Sequence, residues 1–579
     1  MCCLRIREKT MKGKHAIIIC FSVLLLLVAA FVGVKEQQWN KQHSISVEIV
    51  SDGGVEEVKL WMSPQEEYYL FLPSYADLSQ VQIRRHVGGW VYLDGRLITG
   101  TVSCSEFPLN EPMELIHDSY FGYQWNRLTI LKSANVPAMY IDVKSGKMDY
   151  IHAEKGNREA GLARLYTADG RLDSMAVLEE VQGRGNSTWL WRDKKPYSLR
   201  LSEETDLLGM GQGGRWVLLA DAFDRSLIKN KTALDLARNA GMPYTPDCQW
   251  VDLYLNGEYA GLYLLCERNE VHANRVDIPE KTSFLVSWES ESRLVSQGYP
   301  HVVTRRGTAM RVHHSGFGLE KVQQVWQSVE NAIFAEDGID PVTGKHWQEL
   351  IDQESWAKLF LVDEISGDYD GGKISKFFYY IEENGVGKLY AGPVWDKDDS
   401  FATGHWSITS PNCMIASRSA VIEGEEKNMF RGLRQKEAFC ACVAEVYQNT
   451  FQPLLEELYH AGIEEYARWI AQAAQLTEIR WKYGYTEDQH QIICNYLRER
   501  MDFLEEYWVR KEEFCHVEIF DTKEGSVGEF AVRPGAQIPA IPQYDSDAVW
   551  YVAGSGELFD VTQPIWEDVK LVLRSAETE

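Results

Sequence analysis

The sequence predicts an α+β protein in several parts. A small all-β domain covers 43–132, a mixed region covers 136–512 and a small β repeat-like domain covers 516–579, all behind one N-terminal transmembrane helix. Three observations predict this. An uncharged apolar run occupies 16–34. Short β-type runs broken by Gly and Asp turns fill 45–130 and return after His516, and helical and strand periodicities alternate between them. With 579 residues and roughly 100–200 residues per domain, three or four folded units are expected.

The apolar run sets the topology. Its nineteen residues would span about 28 Å as a helix, close to the hydrocarbon thickness of a bilayer. Arg5, Arg7, Lys9, Lys12 and Lys14 precede it, opposed only by Glu8, so residues 1–15 are expected in the cytoplasm. This makes a single-pass protein of the cell membrane, with its C-terminal bulk extracytoplasmic. A cleaved signal peptide with Val28-Ala29-Ala30 as its site is the alternative; the length of the run and the weak site favour the anchor.

Composition narrows the function classes. Hydrophobic residues make up 45% and aromatic residues 12%, enough for real cores and too much for a disordered chain. A net charge of −26 argues against nucleic acid as a partner, because neutralising phosphates takes a basic face. The 11 cysteines include no pair of CxxC motifs, which argues against a zinc ribbon. Most read as small buried apolar residues, with one or two disulfides left open.

Along the mixed region, a helix is predicted from Ser226 to about Asn239, with Leu227, Leu234 and Ala237 on one face and Gly241 as its stop. Asn256-Gly257 between two β-rich runs predicts a hairpin over 250–265. Residues 354–366 are predicted helical, 376–394 form two strands around Glu383-Asn384-Gly385, and 437–512 are helical. In the last of these, Ile493, Leu497, Met501, Leu504 and Trp508 make a core-facing stripe. Gly209 to Gly214 reads as a turn, since no strand-to-helix context surrounds it, and no P-loop, zincin or Gly-x-Ser-x-Gly motif occurs.

The chemistry concentrates in 359–401. A helix ends in a loop bearing Asp368 and Asp370; a strand pair follows and ends in Asp396 and Asp398. This is the element order of a protein-kinase C-lobe, with Ser375 where kinases carry a metal-binding Asn. Asp396 and Asp398 supply the hard oxygens that Mg2+ or Mn2+ prefers, and Asp370 suits the proton-accepting role beside an acceptor hydroxyl. Acidic clusters at strand ends also occur as solvated turns or calcium sites, so both readings stand at this stage. Upstream, Lys195 opens a strand, a helix follows and then a hairpin, the order of a kinase N-lobe. Lys195 is the candidate for the nucleotide phosphates, with Asp235 as a weak partner and Lys194 and Arg184 as the next candidates.

These residues resemble the CotH family, named for a spore-coat protein with an atypical protein-kinase fold. The resemblance covers about 136–512. It rests on Gly183-Arg-Gly-Asn-Ser-Thr-Trp189 with Lys194-Lys195-Pro196-Tyr197, on Asp224 to Lys231, on Val251 to Tyr263 and on Gly392 to Asp398. It implies a two-lobed kinase-like fold and transfer of phosphate from ATP, with a divalent metal, to Ser or Thr of an exported, surface or spore-coat protein. By motif, the loop aspartate is Asp370 and the Trp-Asp-x-Asp aspartates are Asp396 and Asp398; where many relatives carry Asn, this chain has Asp368. Residues 516–579 resemble a degenerate β repeat of bacterial surface proteins. The other class that fits is a non-catalytic surface binding or assembly module, since ATP is scarce outside the membrane.

Overall fold

The computed structural model describes residues 45–51, 53–85, 90–119, 122–368, 370–371, 373–402, 410–422, 425–486, 488–521, 525–538 and 549–573. The 16–34 segment expected as a membrane anchor lies outside them. Among the described residues, no helix is long and apolar enough to cross a membrane. The chain is a mixed α+β protein that divides into two compact units.

The first unit comprises Met1–Asp142, Arg164–Asp173 and Asp252–Gly261. Two sheets build most of it. One runs Gly54–Val58, Ile45–Ser51, Val81–Arg85, Thr101–Ser103; the other centres on Tyr68–Leu72, Gly122–Lys132 and Pro112–Ser119. Alternation puts Val47, Ile49, Val81 and Ile83 inward from one sheet and Leu70, Leu115, Leu128 and Ile130 from the other. The buried Glu56 carboxylate accepts two bonds from Arg164, at 2.5 and 2.8 Å, and one from the Tyr166 hydroxyl at 2.8 Å. Its charge is thereby met within the unit.

The second unit comprises Val143–Ala163, Ser174–Val251 and Leu262–Glu579. Antiparallel pairing joins the strands Leu172–Gly183, Tyr197–Asp206, Gln212–Leu219 and Glu258–Glu267 in that order. The Gly209 to Gly214 segment is the turn and strand start between two of them, as its sequence context predicts. Asn256 and Gly257, which belong to the first unit, both take left-handed φ, at 50° and 79°, as a two-residue hairpin turn requires.

The helix predicted from Ser226 begins at Lys229 and ends at Asn239. Asp224 explains the late start. Its carboxylate accepts from the Ser226 amide (2.8 Å), the Ser226 hydroxyl (2.5 Å) and the Lys229 amide (3.0 Å). The chain is thus wrapped around a side chain, with Leu227 at φ 62°, before helical bonding starts.

A second sheet has the order His301–Val303, Ala309–Ser315, Ser283–Trp288, Phe377–Glu383, Val386–Ala391. The helices Leu319–Phe334 and Gln353–Ser366 pack on it through Trp326 and Trp356, which meet Phe378 with ring centroids 5.0 and 4.9 Å apart. The helical stretch predicted over 437–512 runs from Glu437 to Arg510, with a break after Lys482, whose φ is 55°. The predicted stripe is buried: Ile493, Leu497, Met501, Leu504 and Trp508 all face inward. The described cysteines form no disulfide, and five of them are buried.

Residues after Cys515 form a further sheet, and its edge strand is Cys413–Met414, paired to Phe530 and Glu529. Glu529 sits buried on this sheet and takes Arg434 at 2.6 Å, Arg431 at 2.8 Å and His516 at 2.6 Å. Burial opposes its charge, but His516, Arg434 and Arg431 hold the carboxyl down at about 2. A depressed folded pKa contributes stability above the unfolded value and loses it as pH falls. Glu529→Gln is therefore expected to cost about 3 kcal/mol at neutral pH. The gap in melting temperature from the parent should narrow over the window from 4.5 to about 2. Melts of both chains across that window check this; a constant gap would remove the ionised pair as the cause.

Candidate active site

The loop after the Leu172–Gly183 strand and the two acidic loops of the second unit line one cleft of about 550 Å³. That is large enough for a small molecule. One wall is the loop after the Leu172–Gly183 strand. Gly183 is required there, because a Cβ would lie 2.2 Å from the Trp189 ring, and Gly185 takes φ +76°. Arg184 between them lines the cleft, its guanidinium 5.4 Å from the centre of the Trp395 ring. Burial pulls the Arg184 pKa down while Asp396, Asp398 and Asp221 support its charge. Lys155 also lines this wall and donates to the Gly185 carbonyl at 2.9 Å and to Asn186 Oδ1 at 3.1 Å, fixing the loop from below.

The other wall carries the carboxylates. Asp370, Ser375, Asp396 and Asp398 all line the cleft, as do Asp221 and Asn230. Three of these hold uncommon backbone: Asp221 has φ 46°, Ser375 φ 58° and Asp396 φ 62°. Non-glycine residues adopt such angles when surroundings over-determine them, and such residues cluster at functional sites. The Ser375 hydroxyl donates to Asp396 Oδ2 at 2.9 Å, aiming that carboxylate. Asn230, from the Lys229–Asn239 helix, donates to Asp221 at 2.7 Å and accepts the Lys397 amide at 2.7 Å, so the helix start is stitched to the Trp395–Asp398 loop, which follows the strand end at Ala391 rather than forming it as the sequence suggests. Lys229 donates to the Asp398 carbonyl at 3.1 Å.

Beneath the carboxylates lies a buried square of charges that the sequence did not reveal. Lys397 Nζ is 2.5 Å from both Asp363 and Asp368; Lys376 Nζ is 2.6 Å from Asp368 and 3.1 Å from Asp363. All four side chains are 0 to 2% exposed. Burial opposes the Asp368 charge, yet Lys376 and Lys397 hold it at about 2. Lys397 turns into this square while its neighbours Asp396 and Asp398 line the cleft, and Asp368 turns in while Asp370 lines the cleft. The square locks the two acidic loops to each other.

Electrostatics divides the carboxylates. Burial, then Asp368 and Asp396, push Asp370 up to about 7. Burial and Asp224 push Asp221 up to about 7. Burial, then Asp396, Asp221 and Asp399, push Asp398 well above the usual carboxylate range.

The lysines expected at the phosphates are elsewhere. The Lys195 ammonium donates to the Trp189 carbonyl at 2.6 Å and lies over that ring, outside the cleft lining. Lys194 is fully buried and donates to the Leu262 carbonyl at 2.7 Å. Asp235 pairs with Lys231 at 2.7 Å and accepts from the Tyr466 hydroxyl at 2.6 Å, so it is no partner of Lys195. Strand pairing begins only at Tyr197, which leaves Lys194 and Lys195 on the preceding turn, where local acceptors take them. Of the three expected phosphate-binding residues, Arg184 alone reaches the cleft.

Residues 181–504, more than half of the chain, match the family model described as CotH kinase protein. The chain belongs to this family. No curated protein matches it. The CotH match makes this a kinase-like protein and contains Arg184, Asp221, Asp370, Ser375, Asp396 and Asp398; Lys155 lies outside it.

A kinase-like site implies a divalent cation. Among the described residues, no group of three His, Cys, Asp or Glu side chains is set to hold a metal. Magnesium needs no such cage; it is commonly held by one or two carboxylates with phosphate oxygens and water. The donors here are hard oxygens; burial and then the neighbouring carboxylates raise Asp398, and a bound cation relieves that repulsion. The residues fit the ion.

Proposed function

We propose that the cleft transfers the γ-phosphoryl group of ATP to a Ser or Thr hydroxyl of an exported or surface protein. The observation that carries this reading is the convergence of Asp370, Ser375, Asp396 and Asp398, from two loops 21 or more residues apart, on one wall facing Arg184. Asp396 and Asp398 would hold Mg2+ or Mn2+, with Ser375 orienting Asp396; the cation, when bound, neutralises phosphate oxygens. Asp370, raised toward neutrality, accepts the proton of the acceptor hydroxyl; a base is most useful with a pKa near the working pH. Arg184 adds fixed positive charge on the opposite wall. The 16–34 run and its basic flank support a membrane-anchored chain with this unit outside the cytoplasm.

The test is Asp370→Asn in the full chain, with ATP, Mg2+ and a Ser- and Thr-rich protein acceptor. Phosphoryl transfer is expected to fall by about 100-fold or more while nucleotide affinity stays within a few-fold. Equal turnover by variant and parent would take the role from Asp370. Absence of transfer from the parent with either metal would leave a surface binding or assembly module that keeps the fold.

A further inference from the structure

The cleft carries charges of both signs, and two of its arginines have no part in the chemistry assigned above. Arg268 and Arg311 line the same cavity as Asp221, Asp370, Asp396 and Asp398, with Asn269, His313 and Glu289. Arg184 interacts electrostatically with Asp396 and Asp398 and with Arg268, and Glu289 with Asp396 and Arg311.

The arginines are the unusual feature. Arg293, nearby, is paired with Glu289 at 2.8 Å. Arg268 and Arg311, by contrast, have no hydrogen bond or ion pair among the described residues. The Arg311 guanidinium stacks 3.6 Å from the centre of the Tyr299 ring, which fixes its plane and leaves its N–H edge open. Burial, then Arg215, pull the Arg268 pKa down; Glu270 offsets this in part, and Arg311 and Arg184 add to the repulsion. His313 adds no charge: burial, then Arg311 and Arg268, push it down to about 3, and its Nε2 is 2.9 Å from the Ser287 hydroxyl. Asn269 is 7% exposed and its amide nitrogen has no partner among the described residues. Glu270 and Glu289 act on Arg268 and Arg311 only through space, Glu289 from the same cavity lining and already paired with Arg293. Partly buried cations whose N–H donors meet no acceptor, beside an unsatisfied buried donor, are costly unless an anion joins them.

We propose that Arg268 and Arg311, with the Asn269 amide, form an oxyanion subsite in the cleft that binds a phosphate group. The guanidinium fork matches phosphate geometry with paired N–H donors, which an isolated ammonium does not. Two sources carry this chemistry: the phosphate chain of the nucleotide, or a phosphate already present on the acceptor. In both cases the arginines would take phosphate oxygens in the same cleft whose carboxylates would hold the cation. This rests on the proposed function only for the identity of the ligand; the subsite follows from the arginines.

The experiment titrates the full chain with inorganic tripolyphosphate and, separately, with phosphoserine, by calorimetry without added metal. The parent is expected to bind at least one of them. The double variant Arg268→Gln/Arg311→Gln should bind it about tenfold or more weakly, the loss expected for charge-assisted bonds. Should that variant fold poorly, Arg311→Lys, which keeps the charge and loses the fork, should still weaken binding several-fold. Loss of tripolyphosphate binding together with ATP affinity identifies the nucleotide as source; loss of phosphoserine binding with ATP affinity kept identifies the acceptor. No binding by the parent, or equal binding by parent and double variant, overturns the subsite. Asp370→Asn should bind both probes as the parent does, so a failure of the phosphoryl-transfer reading is seen separately.

Discussion

Asp396→Asn is expected to abolish metal-dependent nucleotide binding and phosphoryl transfer together. The residue sits in the loop after the Val386–Ala391 strand with φ 62°, and Ser375 holds one of its oxygens at 2.9 Å, so the other oxygen is aimed by backbone and side chain alike. An amide at this position keeps the shape and removes the charge. A divalent cation with few protein ligands cannot give up a carboxylate and keep its affinity, because the remaining donors are neutral or already repelled. Asp398 sharpens the effect. Its carboxyl is raised partly by Asp396, so the variant lets Asp398 ionise more easily, yet a single carboxylate remains where two stood. The check is a pair of titrations, ATP with and without Mg2+, on parent and variant. The parent should show a large metal-dependent gain in affinity and the variant almost none. If the variant keeps that gain, the cation is held elsewhere, and the acidic wall is a structural device.

The site was legible in the sequence where chemistry dictates residue type, and illegible where only three-dimensional convergence reveals a role. Asp370, Ser375, Asp396 and Asp398 stood out because hard-oxygen side chains recur at the ends of elements whose order is that of a kinase C-lobe. The structure brings them to one wall. Arg184 was legible as part of a glycine-flanked loop, and Trp189 explains why Gly183 is there. Lys195 was misplaced, since a lysine opening a strand gives no sign of which side its chain will take, and the Trp189 carbonyl captures it. Lys155, Arg268 and Arg311 carry no local signal at all; each is a lone basic residue until the fold gathers them. The helix start missed by three residues for a local reason: the Asp224 carboxylate competes for the amides that a helix beginning at Ser226 would have used. The final sheet could not be read as more than short β runs, because its edge strand at Cys413–Met414 lies a hundred residues upstream.

The second large effect concerns stability, and Lys397→Met measures it. Lys397 is 0% exposed and lies 2.5 Å from both Asp363 and Asp368. With Lys376 it balances two buried carboxylates, so the square is neutral as a whole. Methionine fills much the same volume, but it leaves two carboxylates to one ammonium. One oxygen of Asp363 already lacks a partner, so the square has no spare donor to redistribute. Removing one member of a buried ion pair costs about 3–5 kcal/mol, since the survivor's desolvation is no longer compensated. The variant should lose about that much in denaturant unfolding. It should also lose activity, because Lys397 anchors the chain between Asp396 and Asp398. Restoring the balance separates the two effects. Lys397→Met combined with Asp368→Asn leaves one carboxylate facing Lys376, and should recover part of the stability without the geometry that Lys397 gave to its neighbours. A single variant as stable as the parent would mean that water or a rearranged Lys376 satisfies both aspartates. A double variant that regains stability and full transfer would show that the square holds the fold but does not position the acidic wall.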